Sequence, residues 1–168
     1  MMQATPSFTS NQAVSAARVA QQKLATVLLE IARATPEQRA AALRTLRPSA
    51  AELALTFHAV AADALIHAYA AEPLELDVPG AARASVQLAS PASLVSPPAG
   101  FDPAYARVAP FLRAGPVWGA WTYFDAQDRP LARFDGLVLR AGRWCWCPRP
   151  WRFLPAVAPA GVFDNWAD

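Results

Sequence analysis

The chain has 168 residues, the length of one ordinary domain with short tails. Hydrophobic residues make up 54% and charged residues 17%, so there is apolar material for a real core and a disordered polyelectrolyte is excluded. A net charge of +2 is too small to imply nucleic acid, a membrane surface or an acidic substrate as the main partner. The 14 arginines beside the single Lys23 can reflect gene base composition, so the bias carries no functional weight.

The opening MMQATPSFTSNQ has no basic segment followed by an apolar one, and no secretory signal is expected. The longest apolar stretch, Leu53 to Leu74, is interrupted by His58, Asp63, His67 and Glu72, against a membrane span. The two cysteines, Cys145 and Cys147, sit two apart on an expected strand. Their side chains then point the same way but are too far apart for good disulfide geometry. A reducing cytoplasm is the expected compartment.

Between Ser7 and Thr35, Leu24, Val27, Leu28 and Ile31 follow helical spacing, with Ala17 and Ala20 extending the stripe. Thr35-Pro36-Glu37-Gln38 combines an N-cap, a first-turn proline and a capping-box glutamine, opening a second helix that ends near Leu46. Ser49 and Glu52 form another capping box and open a third helix to about Ala71. Leu74, Leu76 and Val78 alternate with Glu75 and Asp77 as in a half-buried strand, and residues 84–88 form another. Residues 90–100 hold three prolines and form an irregular connection. Asp102-Pro103 opens a helix running towards Gly115. A three-strand meander follows: Val117–Phe124, Leu131–Arg140 and Arg143–Cys147. The whole reads as a single α+β domain over residues 12–153, N-terminal helices packed on a curved antiparallel sheet, with tails at 1–11 and 154–168.

On the third helix, Glu52, Thr56, Asp63 and His67 fall on one polar stripe. Asp63 and His67 are four apart, so a carboxylate can orient an imidazole for acid–base work, or simply stabilise a solvated helix face. His58 lies on the opposite side, as an interfacial histidine satisfied by one hydrogen bond. Cys145 and Cys147 with His58 and His67 make a poor zinc set, because the histidines face apart and C-x-C is not a knuckle spacing. No metal or cofactor is expected, and the glycine-rich phosphate motifs G-x-G-x-x-G and G-x-x-x-x-G-K-[ST] are absent.

The unusual feature is the C-terminal end. All six tryptophans lie from Trp118 to Trp166, interleaved with Arg129, Arg133, Arg140, Arg143, Arg149 and Arg152. Trp144 and Trp146 share one strand face and Arg143, Cys145 and Cys147 the other, while Trp118 and Trp121 fall on opposite faces. Trp118, Trp121, Tyr123, Arg143, Trp144, Trp146, Arg149, Trp151 and Arg152 are the candidate contact residues, since aromatic rings beside arginine forks suit planar or anionic ligands, single-stranded nucleic acid or a protein partner, and the small net charge argues against nucleic acid. The competing account makes the same aromatics core, with arginines packed along their edges.

The run from Phe134 to Arg152 carries D-G-L-V at Asp135–Val138, G-R-W at Gly142–Trp144 and P-R-P-W-R at Pro148–Arg152. It resembles the closing hairpin of an uncharacterised bacterial protein family. More loosely, the chain is similar to ketosteroid-isomerase-like and nuclear-transport-factor-like cone domains, where G-x-W begins the last strand. That second resemblance implies a cone-shaped α+β fold, and no activity, because such domains include isomerases, cyclases, scaffold modules and secretion accessories. No residue here aligns with the isomerases' aspartate base or tyrosine–acid oxyanion pair.

The expectation is therefore a non-catalytic binding or accessory protein that grips a protein partner through the meander. An immunity- or chaperone-type partner of a toxin or effector is one form of it. The first helix offers a surface for a homodimer. The alternative is a small-molecule-binding protein or enzyme, with a pocket between helices and sheet, Asp63/His67 as its acid–base pair and Trp121, Tyr123 or Trp144 as its lining.

Overall fold

The structure, a computed structural model, describes residues 10–154. Much of both expected tails lies outside the described residues. Five α-helices precede and interrupt a four-stranded antiparallel sheet: α1 (Ser10–Arg33), α2 (Pro36–Leu46), α3 (Ala50–Thr56), α4 (Ala59–Ala71), β1 (Arg83–Ala89), α5 (Tyr105–Val108), β2 (Val117–Phe124), β3 (Pro130–Arg140) and β4 (Arg143–Trp146). The strands lie in chain order, β1-β2-β3-β4. The α+β class is as the sequence implies.

Local chemistry sets the helix starts. Thr35 and Gln38 close one reciprocal capping box at the head of α2, and Ser49 and Glu52 close a second at the head of α3. The continuous helix expected over 49–71 breaks at Phe57–His58. There the Phe57 backbone bridges to Leu112, His58 N–H donates to the Phe111 carbonyl at 2.8 Å and Arg113 N–H donates to the Thr56 carbonyl at 2.9 Å. A segment more than fifty residues away in sequence takes over the backbone groups that another helical turn would use. It also shortens the helix expected after Asp102: α5 passes into a 3₁₀ turn over Ala109–Phe111, where Pro110 offers no N–H. Residues 74–78 keep the expected alternation, with Leu76 and Val78 buried and Glu75 and Asp77 exposed, but join no strand. Alternation reports which side is buried, not whether a ladder forms.

Both faces of the sheet are covered. On one, Leu24, Leu28 and Ile31 of α1, Leu43 of α2, and Leu76 and Val78 pack against Val86, Trp121, Tyr123, Leu137 and Trp146. On the other, Leu53, Phe57, Leu65, Tyr69 and Tyr105 pack against Trp118, Ala120, Val138, Cys145 and Cys147. Tyr123 reaches through the first layer to donate to the Leu28 carbonyl at 2.8 Å. Val27, placed on the apolar stripe by spacing, is half exposed on the outer side of α1.

Arg143 fastens β4 to the helical layer. Its guanidinium donates to both Glu52 carboxylate oxygens and to the Thr45 and Arg47 carbonyls. Those hydrogen bonds hold the Glu52 carboxyl down from 4.5 to about 2. A carboxylate with a depressed folded-state value stabilises the fold above its ordinary range and loses that contribution as it protonates. The stability gap between wild type and Glu52→Gln, followed by thermal melting, is expected to be full near neutral pH. It should narrow as pH falls below about 4.5 and close near about 2.

Candidate functional site

β3 carries one more residue than its partner between two ladder positions. Gly119 faces Leu137 and Trp121 faces Phe134, so Ala120 stands opposite both Asp135 and Gly136. This is a β-bulge, and Gly136 takes the left-handed backbone (φ +87°) that it requires. A Cβ on Gly136 would collide with the Cys147 carbonyl oxygen. The bulge is pinned by Cys147 N–H donating to the Gly136 carbonyl at 2.7 Å and by the Trp146 indole N–H donating to the Asp135 carbonyl at 2.8 Å.

Past Trp146 the chain leaves the sheet at Pro148, whose carbonyl accepts from the Tyr69 hydroxyl at 3.0 Å. Arg149 then adopts left-handed backbone (φ 47°, ψ 54°) between Pro148 and Pro150, before a 3₁₀ turn over Pro150–Arg152. A residue preceding proline favours extended backbone, so this conformation stores about 1–3 kcal/mol of strain. It places Arg149 near enough to the bulge for its charge to act on Asp135.

Between bulge and turn lies a cleft of about 730 Å³. Arg133, Phe134 and Asp135 line it from β3, with Trp146 from β4, Arg149, Trp151 and Arg152 from the turn, and Glu72, Glu75 and Asp102 from the loops. Trp151 enters from one core layer through an edge-to-face contact with Tyr105 (centroids 5.1 Å apart). Trp146 enters from the other, against Trp121 at 5.4 Å.

The charges in the cleft divide into committed and uncommitted groups. Arg152 pairs with Glu72 at 2.9 Å. Asp135 accepts from Asp102 N–H at 3.1 Å and from the Tyr105 hydroxyl at 3.2 Å. Burial pushes the Asp135 carboxyl up, against those two hydrogen bonds and the charge of Arg149. Asp102 accepts from Ala104 N–H at 2.8 Å. The side chains of Arg133, Arg149 and Glu75 make no hydrogen bond or ion pair with the described residues, and Arg149 acts on Asp135 through its charge alone.

Of the candidate contact residues, Arg149, Trp151 and Arg152 come together here, while Trp146 lines the cleft from a position buried in the α1–α2 core layer. Trp118, Trp121 and Tyr123 are fully buried, on the two faces of a sheet covered on both sides, and they belong to the core. Trp144 packs half-buried against the α1–α2 layer, and Arg143 is the tie to Glu52. Trp166 lies outside the described residues. The polar stripe does not form a site: Thr56 is buried with its hydroxyl donating to the Glu52 carbonyl at 2.7 Å, while Asp63 and His67 face solvent outside the cleft. His67 Nδ1 lies 2.9 Å from the Asp63 carbonyl oxygen, so the imidazole partner is backbone rather than carboxylate. The half-buried His58 caps α4, its ring hydrogen-bonded at the Leu112 backbone and its charged form disfavoured by burial. Cys145 and Cys147 are free and buried, and their mutual hydrogen bond with burial keeps the Cys147 thiol well above its ordinary range. Among the described residues no three His, Cys, Asp or Glu are placed to hold a metal ion.

Sequence reading missed Arg133, Asp135, Tyr105, Glu72, Glu75 and Asp102. One available signal was the glycine inside a strand pattern at Asp135-Gly136, which marks a bulge and hence a re-aimed neighbour. Comparison with known proteins adds no relative: no family model matches the chain, and no curated protein or solved structure matches it significantly. The resemblance of the closing hairpin rests on its motif residues alone, and D-G and P-R-P-W-R meet in this cleft.

Gly136→Ala is expected to destabilise the fold by about 2–4 kcal/mol, from left-handed strain plus the collision with Cys147, in denaturant unfolding. Tyr105→Phe removes a donor to the Asp135 carboxylate, so the Asp135 titration midpoint, followed by carboxyl-carbon NMR, is expected to rise further. An unchanged midpoint would show that the hydroxyl does not reach it.

Proposed function

We propose that the protein is a non-catalytic binding or accessory module that holds a protein partner through the cleft at the exit of its Trp/Arg-rich meander. The observation that carries this reading is the convergence of the Asp135-Gly136 bulge and the Pro148–Arg152 turn on one cleft, whose arginines Arg133 and Arg149 have no hydrogen-bonded or ion-paired side-chain partner among the described residues. Tryptophan and arginine are the residue types that dominate binding hot spots, and Trp151 supplies a half-buried aromatic anchor beside those guanidinium forks. The strained backbone of Arg149 fits the same account, because strain that local preference disfavours gathers where a side chain must be aimed. A catalytic reading has less support. Asp63 and His67 are exposed and apart from the cleft, the Asp135 oxygens already accept two hydrogen bonds, and the Cys147 thiol is held neutral. Two free, buried cysteines fit work in a reducing cytoplasm.

The test is affinity capture from native lysate with wild type and with an Arg133→Glu, Arg149→Glu variant, followed by reconstitution with the purified partner. Both substitutions are at exposed positions, so the variant should melt within a few degrees of wild type. A partner bound by wild type and weakened at least about a hundredfold by the double charge reversal supports the reading. Equal capture of every protein by both forms refutes it.

A further inference from the structure

β3 extends beyond the reach of β4. The ladder between them pairs Leu137–Arg140 with Arg143–Trp146 and ends there, apart from the bond from Cys147 N–H to the Gly136 carbonyl. Among the described residues, no strand covers the β4 side of Pro130–Asp135. The Trp146 indole N–H takes the Asp135 carbonyl, so at about 3.3 Å per residue Pro130–Phe134 leave roughly 17 Å of strand edge open among the described residues. The cleft lies along that edge, since Arg133, Phe134 and Asp135 are consecutive in its lining and Trp146 and Pro148 close the end where β4 stops. An open edge presents unpaired backbone donors and acceptors, a template for another extended chain. Pro130 and Arg133 on the same stretch discourage indiscriminate pairing, so an incoming strand must satisfy a charge condition.

The uncommitted side chains supply that condition. Arg133 and Arg149 are guanidinium forks without a hydrogen-bonded partner among the described residues, and such forks match carboxylates in two-point contacts. The carboxylates nearby make no hydrogen bond to them: Glu72 is taken by Arg152, Asp102 by its own turn, and Asp135 by Asp102 N–H and Tyr105, so that Arg149 acts on Asp135 through its charge alone. Glu75, also without a side-chain partner among the described residues, is an exposed acid of the lining, and its charge repels a doubly charged phosphate more strongly than a single carboxylate.

We propose that the cleft receives an extended, carboxylate-bearing segment of the partner, which adds to the open edge of β3 where β4 ends and places its acidic side chains against Arg133 and Arg149. This rests on the partner-binding reading above and deepens it: the partner offers a strand, and the strand is acidic.

The probe is a capped pentapeptide alternating valine and glutamate, titrated into the full chain at low salt. The signals followed are the backbone amides of residues 131–135 and the Trp151 indole. Saturable shifts in both are expected. Binding should weaken at least about tenfold when lysine replaces glutamate in the peptide, when alternate peptide amides are N-methylated, and when the protein carries Arg133→Gln with Arg149→Gln. Arg107→Gln, an exposed and unpaired arginine on α5, should leave it unchanged. Equal binding of the lysine peptide overturns the charge condition, and insensitivity to N-methylation overturns strand addition. Free succinate competing as well as the peptide makes this a small-carboxylate site and overturns the proposal. If no peptide binds while the Arg133→Glu, Arg149→Glu variant still loses a captured partner, strand addition fails and the partner-binding reading survives.

Discussion

The side chains of a strand alternate between faces, so one extra residue inverts everything beyond it, and β3 uses one at Asp135–Gly136. Without it Leu137 and Phe134 would face opposite layers. With it Leu137, Phe134 and Ala132 share the α1–α2 side, where Phe134 stacks on Trp121 at 5.2 Å and meets Trp146 and Tyr123 edge-on. The same inversion sends Asp135 the other way, under Tyr105 and Asp102. Core packing and cleft chemistry therefore share one backbone irregularity, and it tolerates no side chain at Gly136.

The aromatic richness of the C-terminal half follows from covering the sheet twice. Two layers need large groups on both faces, and Trp118 and Trp121, three residues apart on β2, serve one layer each. Edge-to-face contacts run from Phe57 through Trp118 and Tyr105 to Trp151, and from Tyr123 through Phe134 to Trp146. The cleft thus opens where the two aromatic systems reach the surface. Trp118 is buried with no partner for its indole N–H among the described residues, a cost of about 1–3 kcal/mol that burial of so large a side chain outweighs.

What the sequence could reveal was whatever neighbouring residues decide among themselves. Thr35–Gln38 and Ser49–Glu52 close their boxes through contacts three residues apart, and the aromatic, β-prone run Val117–Phe124 forms its strand. What it hid was decided at long range. Nothing between Thr56 and Ala59 announces that Phe111–Arg113 will take the backbone there, and nothing in residues 74–78 tells burial from pairing. The site suffered most. A cluster of tryptophans and arginines looks the same in sequence whether the sheet is covered on one face or two, and only the second layer turns Trp118, Trp121 and Tyr123 from contact residues into core.

The arginines show the same division between structural and available groups. Several are spent on backbone carbonyls where helices and loops end: Arg33 on Ala81 and Ala82, Arg47 on Tyr69, Arg113 on Phe57, Arg140 on Leu55, and Arg143 on Thr45 and Arg47. A planar fork with five donors satisfies two such acceptors at once, which an ammonium on a flexible stem does less well. Arginine in this fold is therefore first a fastener of chain ends. Against that background Arg133 and Arg149 differ in kind: one on an open strand edge and one held in a strained turn, both facing a cleft whose neighbouring acids are mostly engaged. Fastening explains the burial and geometry of the others. It does not explain these two, whose guanidinium groups find no hydrogen-bond acceptor among the described residues, nor the strained backbone that carries Arg149.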